Sequence, residues 1–558
     1  MSYTLTQKNL GANNIQLDVL WSVNAQRYIL QSNLQFEQLL STIFDVADYL
    51  AALIPSGVAD YRLLRPAPAT QNGGVGIGNV AAGTNALAAV TTGANNTALG
   101  TNTLSIASTG NRNTAVGNAA LQNITTGQDN VAIGVFAGRF LSSDSFNVAI
   151  GQNAFSTGGG GGITPVVAIG YGALAGDEVG SNTAIGYLAL NVSQFATGSV
   201  AIGYEAMKNA EAPNSVAIGT RALLVDGAGQ NVAVGSQAMI SNTAGSNNCA
   251  VGYTALSGNT IGNLNSAFGK ETLANNTTGD FNNAFGSASL AQNIVGNNNC
   301  AFGYQTLLRN TASDNVGFGS YALRENIVGT SNTAIGTNSL RNNTASNNTA
   351  VGLNTLVATT TGVQNTAVGT NALQTNIVAN NLSAFGYNAL TLSTGGSNSA
   401  FGSLALDANT TGIQNSAFGA DALGANTTAN NSCAFGHNAL LVSTGGNNSA
   451  FGAAAGNGMT TGTNNVILGS FAGQALTTGA SNTILGQNAN VSGAGRNFCV
   501  VLGRSATSPA VDGSLSIGGT AGNAMANLNV AAAGAVAVGE YLNIYLNGVQ
   551  RKIALLLP

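Results

Sequence analysis

Polar and apolar residues follow one short pattern through most of this chain. A polar pair precedes Ala, a larger apolar residue and Gly, as in Asn113-Thr114-Ala115-Val116-Gly117 and Asn265-Ser266-Ala267-Phe268-Gly269. The closing glycines run from Gly100 to Gly518, 418 residues in 25 intervals, or about 16.7 residues each. They include Gly117, Gly134, Gly151, Gly186, Gly269 and Gly369. Because helical pairs and propeller blades need longer repeats, this period predicts about 26 short coils of a parallel β-solenoid, or β-roll.

A second apolar element follows each closing glycine, as in Ala120-Leu121 and Ala372-Leu373. It predicts a second short strand in every coil. The segment that connects each coil to the next contains turns such as Thr125-Thr126-Gly127 and Thr410-Thr411-Gly412, where we expect glycine to supply a positive φ. The fold class is therefore all-β, with each coil a flat roll of two strands and two turns.

Successive side chains of a strand point to opposite faces, so Ala267 and Phe268 cannot share a face. One face fills the roll, and the simplest cover for the other is a sister chain, which predicts a homotrimeric rod. The repeat also predicts two ladders. Asparagines at the start of the motif stack as surface polar groups, and the larger apolar residues stack as an aromatic ladder that includes Phe268, Phe285 and Phe302.

The two ends depart from the repeat. From Ile29 onward, apolar residues recur with a heptad spacing that predicts a short N-terminal helix or coiled coil, ended by Pro55-Ser56-Gly57. An ordinary amphipathic helix packed on its own chain is the alternative. The heptad residues are Ile29, Phe36, Leu39, Ile43, Val46, Leu50 and Leu53.

Near the C-terminus, Asn547-Gly548 separates two alternating segments and predicts a β-hairpin that caps the distal end. The predicted organisation is an attachment and trimerisation module at residues 1–66, a linker with irregular first coils at 67–98, the repeat shaft at 99–518 and the β cap at 519–558.

Charge is scarce. Only 6% of residues are charged, with 16 basic and 20 acidic side chains. This balance gives no electrostatic reason to bind nucleic acid. No stretch of about 20 apolar residues predicts a membrane span, and no secretory signal is recognisable at the N-terminus.

The chemistry-bearing residues are scattered, so the chain is not expected to be an enzyme or to need a cofactor or metal. Cys249, Cys300, Cys433 and Cys499 fit repeat positions held elsewhere by Thr, Ser or Val and are interpreted as small buried fillers. His437, the only histidine, is expected in an exposed turn. One enzyme alternative stays open, a polysaccharide-cleaving spike that uses Asp407 and Asp421 if the coils bring them together.

The segments Ser199-Val200-Ala201-Ile202-Gly203 and Asn214-Ser215-Val216-Ala217-Ile218-Gly219 resemble the head repeat of trimeric autotransporter adhesins. The longer form, with Ala-Leu and Thr-Thr-Gly, is similar to shafts of phage tail fibres and surface fibres of large DNA viruses. The resemblance covers about residues 72–518 and implies a trimer of left-handed parallel β-rolls. It implies a virion-surface or extracellular fibre for host attachment, because the adhesin family's signal peptide and membrane anchor are not evident.

The partners implied are sister chains, including end-to-end polymers, other virion or surface proteins bound through residues 1–66, and a host-surface receptor or glycan. A cellular extracellular filament or adhesin is the alternative function.

Overall fold

The computed structural model describes residues 77–157, 165–176, 180–192, 196–508 and 510–518, together with the backbone of six strands outside them. The described chain is all-β. It divides into two compact units, Met1–Lys208 and Asn209–Pro558, a boundary that the repeat pattern does not predict. In each unit, three-residue strands pair in parallel with the strand of the next coil, which confirms the parallel β-solenoid.

The shaft strands of the first unit are β5 Val80–Ala82, β6 Thr97–Leu99, β7 Thr114–Val116, β8 Val131–Ile133, β9 Val148–Ile150, β10 Val167–Ile169, β11 Thr183–Ile185 and β12 Val200–Ile202. Those of the second unit are β14 Val216–Ile218, β16 Val232–Val234, β17 Cys249–Val251, β18 Ser266–Phe268, β19 Asn283–Phe285, β20 Cys300–Phe302, β21 Val316–Phe318, β22 Thr333–Ile335, β23 Thr349–Val351, β24 Thr366–Val368, β25 Ser383–Phe385, β26 Ser399–Phe401, β27 Ser416–Phe418, β28 Cys433–Phe435, β29 Ser449–Phe451, β30 Val466–Leu468, β31 Thr483–Leu485, β32 Val500–Leu502 and β33 Leu515–Ile517. Two further strands of the second unit, β13 Asn209–Ala210 and β15 Val225–Asp226, pair with each other in parallel.

Within each unit, the register is the same from one shaft strand to the next. Ala267 lies opposite Ala284, and Phe268 opposite Phe285, so equivalent residues of successive coils stack on one another. From β6 to β33 the central residue of each three-residue strand, alanine in most of them, is buried, as at Ala267 with 0% exposure, while the residues on either side are half-buried or exposed. Alanine therefore faces the inside of the coil, and the larger apolar residue faces out.

The predicted second strand is wrong for most coils. Ala372 and Leu373 are adjacent and both fully buried, which a strand cannot achieve because its side chains alternate. The chain instead makes a series of turns in which Asn371 and Leu373 adopt left-handed φ values of 57° and 53°. Backbone bonds still join the coils, since the Leu373 N–H donates to the Ala389 carbonyl at 3.0 Å and the Asn371 N–H to the Leu353 carbonyl at 2.9 Å.

Glycine is required in the coil for two different reasons. At Gly369 the φ of 131° lies in the region that favours glycine, and a Cβ would overlap the carbonyl oxygen of Gly386 in the next coil. The prediction for Thr125-Thr126-Gly127 is wrong, because the positive φ there falls on Asp129 (58°) and not on Gly127. Gly127 is instead required by space, since a Cβ would overlap the carbonyl oxygen of Asp144.

The asparagines four residues before the closing glycines form what we call the first asparagine column. At Asn282, the backbone N–H and Nδ2 donate to Oδ1 of Asn265 at 3.0 and 3.1 Å, and Nδ2 also donates to the Gly296 carbonyl at 2.8 Å. The predicted stacking is confirmed, but its predicted place on the surface is wrong. Asn265 and Asn282 are fully buried, because the turn carbonyls they satisfy point into the coil.

A second asparagine column lies seven residues after the closing glycines, from Asp226 to Ser443. Asn276 Nδ2 donates to Oδ1 of Asn259 at 2.9 Å, and each donor amide points to the preceding coil. The first rung, Asp226, is fully buried and accepts bonds from Asn231 and Asn242 at 2.9 and 3.2 Å and from the Ser215 hydroxyl at 2.6 Å. A carboxylate suits this place because it only accepts hydrogen bonds.

The ends are all strand where they are described. β1 Tyr3–Asn9, β2 Ile15–Trp21 and β3 Arg27–Ser32 form an antiparallel sheet, and β4 Arg65–Pro66 pairs antiparallel with β5. The predicted heptad does not begin as a helix, because Ile29 lies in β3 opposite Asp18. Phe36, Leu39, Ile43, Val46, Leu50 and Leu53 lie outside the described residues.

At the C-terminus, β34 Tyr541–Leu546 and β35 Val549–Ala554 pair antiparallel, with Leu546 opposite Val549. The two strands are those that the sequence predicts. The turn residues Asn547 and Gly548 lie outside the described residues, and the role of this pair as a cap stays a prediction.

We expect Gly369→Ala to lower the thermal unfolding midpoint strongly, because it adds backbone strain of about 1–3 kcal/mol to an overlap with the Gly386 carbonyl. Circular dichroism during heating measures the effect. Gly396→Ala is the matched control: Gly396 has no left-handed φ, and a Cβ there lies 3.2 Å from the Asn380 carbonyl oxygen. Equal midpoints for the two variants would contradict the conformational requirement.

Candidate functional surface

The first and third residues of the shaft strands point away from the coil interior and form what we call the outer strand face. Ser266 and Phe268 on β18 are half-buried, while Ala267 between them is fully buried. The third residue is always apolar, and no first or third residue of the described shaft strands is charged. Within each unit the face is therefore an apolar stripe, bordered in many coils by Thr, Ser or Val.

Phenylalanines on this face stack into two ladders in the second unit, as predicted. Phe268 and Phe285 have ring centroids 4.7 Å apart and planes 4° apart, and the Phe418–Phe435 spacing is 4.4 Å. Such pairs contribute about 0.5–1.5 kcal/mol each beyond area burial. The first ladder comprises Phe268, Phe285, Phe302 and Phe318, and the second Phe385, Phe401, Phe418, Phe435 and Phe451.

Stacking leaves much of this apolar surface in contact with water in the single chain. The last ring of the first ladder, Phe318, is 39% exposed, and aliphatic residues that continue the stripe include Ile335 at 42% and Leu468 at 50%. Soluble monomers rarely expose large contiguous apolar patches, and those that do occur mark interaction sites. The outer strand face is therefore the strongest candidate for a functional surface.

Three cysteines also lie on the outer strand face, as the first residues of β17, β20 and β28. Cys249, Cys300 and Cys433 are free and half-buried, and burial raises the pKa of each thiol. A raised pKa keeps these thiols protonated and less reactive at neutral pH. The prediction of buried fillers is wrong for these three, which are half-buried, and is confirmed for Cys499, which is buried and occupies a rung of the first asparagine column.

A tyrosine ladder that the sequence analysis missed lies in the first unit, one residue after the closing glycines. Tyr171, Tyr187 and Tyr204 stack with centroids 5.3 Å apart at both steps. The recurrence of Tyr directly after Gly was the available signal. Because the inner ring faces contact one another, the ladder presents mainly ring edges to solvent.

The coils do bring Asp407 and Asp421 close enough to interact. Burial raises the pKa of Asp407, and the charge of Asp421 raises it further, against opposing hydrogen bonds from the backbone. A raised carboxyl pKa is one requirement of a general acid. His437 follows Gly436 in the next coil, and no group of three or more His, Cys, Asp or Glu side chains within the described ranges is placed to hold a metal ion.

Comparison with known proteins finds no matching family model, and neither the curated proteins nor the solved structures yield a match. Within the part of the chain that the structure describes, no helix has the length and apolar character of a membrane span.

The raised pKa of Asp407 predicts a pH-dependent stability. The folded state binds the Asp407 proton more tightly than the unfolded state does. Protonation of Asp407 therefore stabilises the fold fully at pH values below the pKa of the unfolded state, and this stabilisation is lost as the pH rises through the pKa of the folded state. Asp407→Asn should therefore raise the unfolding midpoint at pH 7 and change it little at pH 3.

Asp421→Asn is the comparison variant for this test. It should give a smaller rise at pH 7, because burial affects Asp407 more than the Asp421 charge does. A midpoint at pH 7 that Asp407→Asn lowers would contradict the predicted destabilising charge.

Proposed function

We propose that this chain is a structural fibre protein whose shaft assembles as a parallel homotrimer through the outer strand face. The observation that carries the proposal is the uncharged apolar stripe with its stacked phenylalanines, left half-exposed in the single chain. Burial of apolar surface contributes a favourable free energy of roughly 25 cal/mol per Å². A stripe that recurs in every coil supplies a large driving force for association.

A sister chain is the partner that fits this face best. The stripe repeats once per coil, and apolar side chains of two partners interdigitate along its length only where their repeats match. An identical chain has the matching repeat automatically. The face also lacks charged groups, so a charged partner would lose hydration without gaining an ion pair.

Parallel, in-register association follows from the block structure of the stripe. The two phenylalanine ladders flank a segment of smaller residues, Ile335, Val351 and Val368. In-register chains place phenylalanine blocks beside phenylalanine blocks and aliphatic residues beside aliphatic residues. A shift of several coils would put large rings against small side chains and leave gaps.

The proposed setting is the surface of a virion, with host attachment as the role of the fibre. This part rests on the resemblance to trimeric adhesin heads and to viral fibre shafts. A cellular extracellular filament uses the same lateral association and is the alternative. A polysaccharide-cleaving spike is a lesser alternative, favoured only by the proximity of Asp407 and Asp421.

Light scattering on the purified full-length protein should give three times the 55.4 kDa chain mass. Phe302→Glu places a charge on the outer strand face and should lower the measured mass towards that of one chain. A wild-type mass of one chain would contradict the proposal.

The native cysteines test the interface and its register. We expect a single-cysteine variant that keeps Cys433 to form cross-linked chains with a short bismaleimide reagent, because equivalent residues of in-register chains meet at a common interface. The matched control keeps only Cys499, which is buried within the coil and should not cross-link. Efficient cross-linking through Cys499 with none through Cys433 would contradict association by this face.

A further inference from the structure

Three of the 16 basic residues of the chain lie in consecutive coils of the second unit. Arg309 follows its closing glycine by six residues, and Arg324 and Arg341 follow theirs by five. No other Lys or Arg occurs between residues 271 and 495. In a chain where 6% of residues are charged, we call this concentration the arginine column.

Backbone bonds between coils hold the column in place. The Arg309 N–H donates to the Arg324 carbonyl at 3.0 Å, and the Glu325 N–H donates to the Arg341 carbonyl at 2.9 Å. The three arginines therefore come from adjacent levels of the stack, about 4.8 Å apart per coil. They follow the closing glycines and are separate from the outer strand face, so trimer formation through that face does not require the column.

One carboxylate pairs with two of the three arginines. Glu325 Oε2 lies 2.9 Å from Arg309 Nη1, and Oε1 lies 3.1 Å from Arg324 Nη1. For Arg341, no ion pair forms among the described residues, and its guanidinium lies 5.4 Å from the ring centre of Tyr321. By contrast, Arg112 elsewhere in the shaft has its own partner, Asp129, at 2.6 Å.

The arginine side chains are partly exposed and contact neighbouring side chains. The Arg309 and Arg324 side chains are 53% and 29% exposed. Arg324 Nε donates to Oε1 of Gln305 at 3.1 Å, and the Arg324 guanidinium lies 5.8 Å from the ring centre of Tyr321. These contacts fix the guanidinium groups before any ligand arrives, which lowers the entropy cost of binding.

We propose that the arginine column binds an acidic polysaccharide through its carboxylate or sulfate groups. Guanidinium presents a planar fork of donors that matches such oxyanions in a bidentate manner. Tyr304, which is exposed and in edge contact with Tyr321 at 5.4 Å, and Gln305 supply neighbouring polar groups for sugar hydroxyls.

A polysaccharide fits this column better than a nucleic acid does. Nucleic-acid binding draws its affinity from many phosphate contacts, whereas this column carries three cations and one anion, and the whole chain has a net charge of −4. Sparse anionic groups spaced by neutral sugars match a small, isolated cationic site. A role of polysaccharide binding in host attachment rests on the proposed function. Binding of the polysaccharide to the arginine column is measured independently of that function.

The test uses full-length protein on a biosensor surface that carries chondroitin sulfate, with hyaluronate, neutral dextran and single-stranded DNA as separate arms. We expect binding to at least one of the two acidic polysaccharides, weakened by added salt, with no binding to dextran. The double variant Arg309→Gln/Arg341→Gln should weaken that binding about tenfold or more, as expected for loss of charge-assisted hydrogen bonds.

The double variant Arg112→Gln/Arg504→Gln is the matched control, because it changes the net charge equally at sites outside the column. It should retain nearly the wild-type affinity. Binding to neither acidic polysaccharide at low salt, equal weakening by the two double variants, or tighter binding to DNA would each overturn the proposal. Light scattering on the same samples separates the two proposals. Wild-type protein that has the trimer mass but binds neither acidic polysaccharide would refute the arginine column alone and leave the fibre proposal standing.

Discussion

The structure depends on the buried hydrogen bonds that join each coil to the next through asparagine. In the first asparagine column, Oδ1 of Asn265 accepts from both the backbone and the side chain of Asn282. A buried amide without partners costs about 1–3 kcal/mol, so any slip between coils would leave several such groups unsatisfied. This constraint sets the register of the whole coil, and the aromatic stacking outside follows from it.

The narrow interior of the coil determines which side chains face outward. Alanine at the strand centre and Leu373-type residues in the turn run fill the coil together with the two asparagine columns, and the strand residues on either side of the alanine point away from this interior. Phe268 and its equivalents must therefore face outward, where they stack on one another and form an apolar stripe. The shaft has few charges to offset this stripe, and we propose that sister chains cover it. The fibre proposal is a consequence of this division between inside and outside.

The sequence predicted the features that repetition fixes: the coil length, the glycine at Gly369 and the phenylalanine ladder. It failed where local geometry overrides a general preference. Asparagine was expected at the surface because it is polar, yet Asn282 is buried because turn carbonyls inside the coil need donors. Ala372-Leu373 was expected to form a strand, yet a left-handed residue turns both side chains inward. Two adjacent buried apolar residues were the signal for this turn.

The candidate surfaces were predictable to different degrees. The outward stripe followed from strand alternation at Phe268, and the proposal that a sister chain covers it followed from the low charge. The arginine column did not, because Arg309 and Arg324 are 15 residues apart while most equivalent residues are 16 or 17 apart, so their alignment appears only when the coils are stacked. The role of Asp226 could not be predicted either, because it depends on Asp226 being the first residue of the second asparagine column.

Cryo-electron microscopy of the purified full-length protein at side-chain resolution tests the account most directly. We predict that Asn265 and Asn282 lie inside the coil, joined by hydrogen bonds, with Phe268 and Phe285 facing sister chains around a common axis. Asparagines on the outside of the coil, or single coils with both phenylalanines facing water, would contradict it.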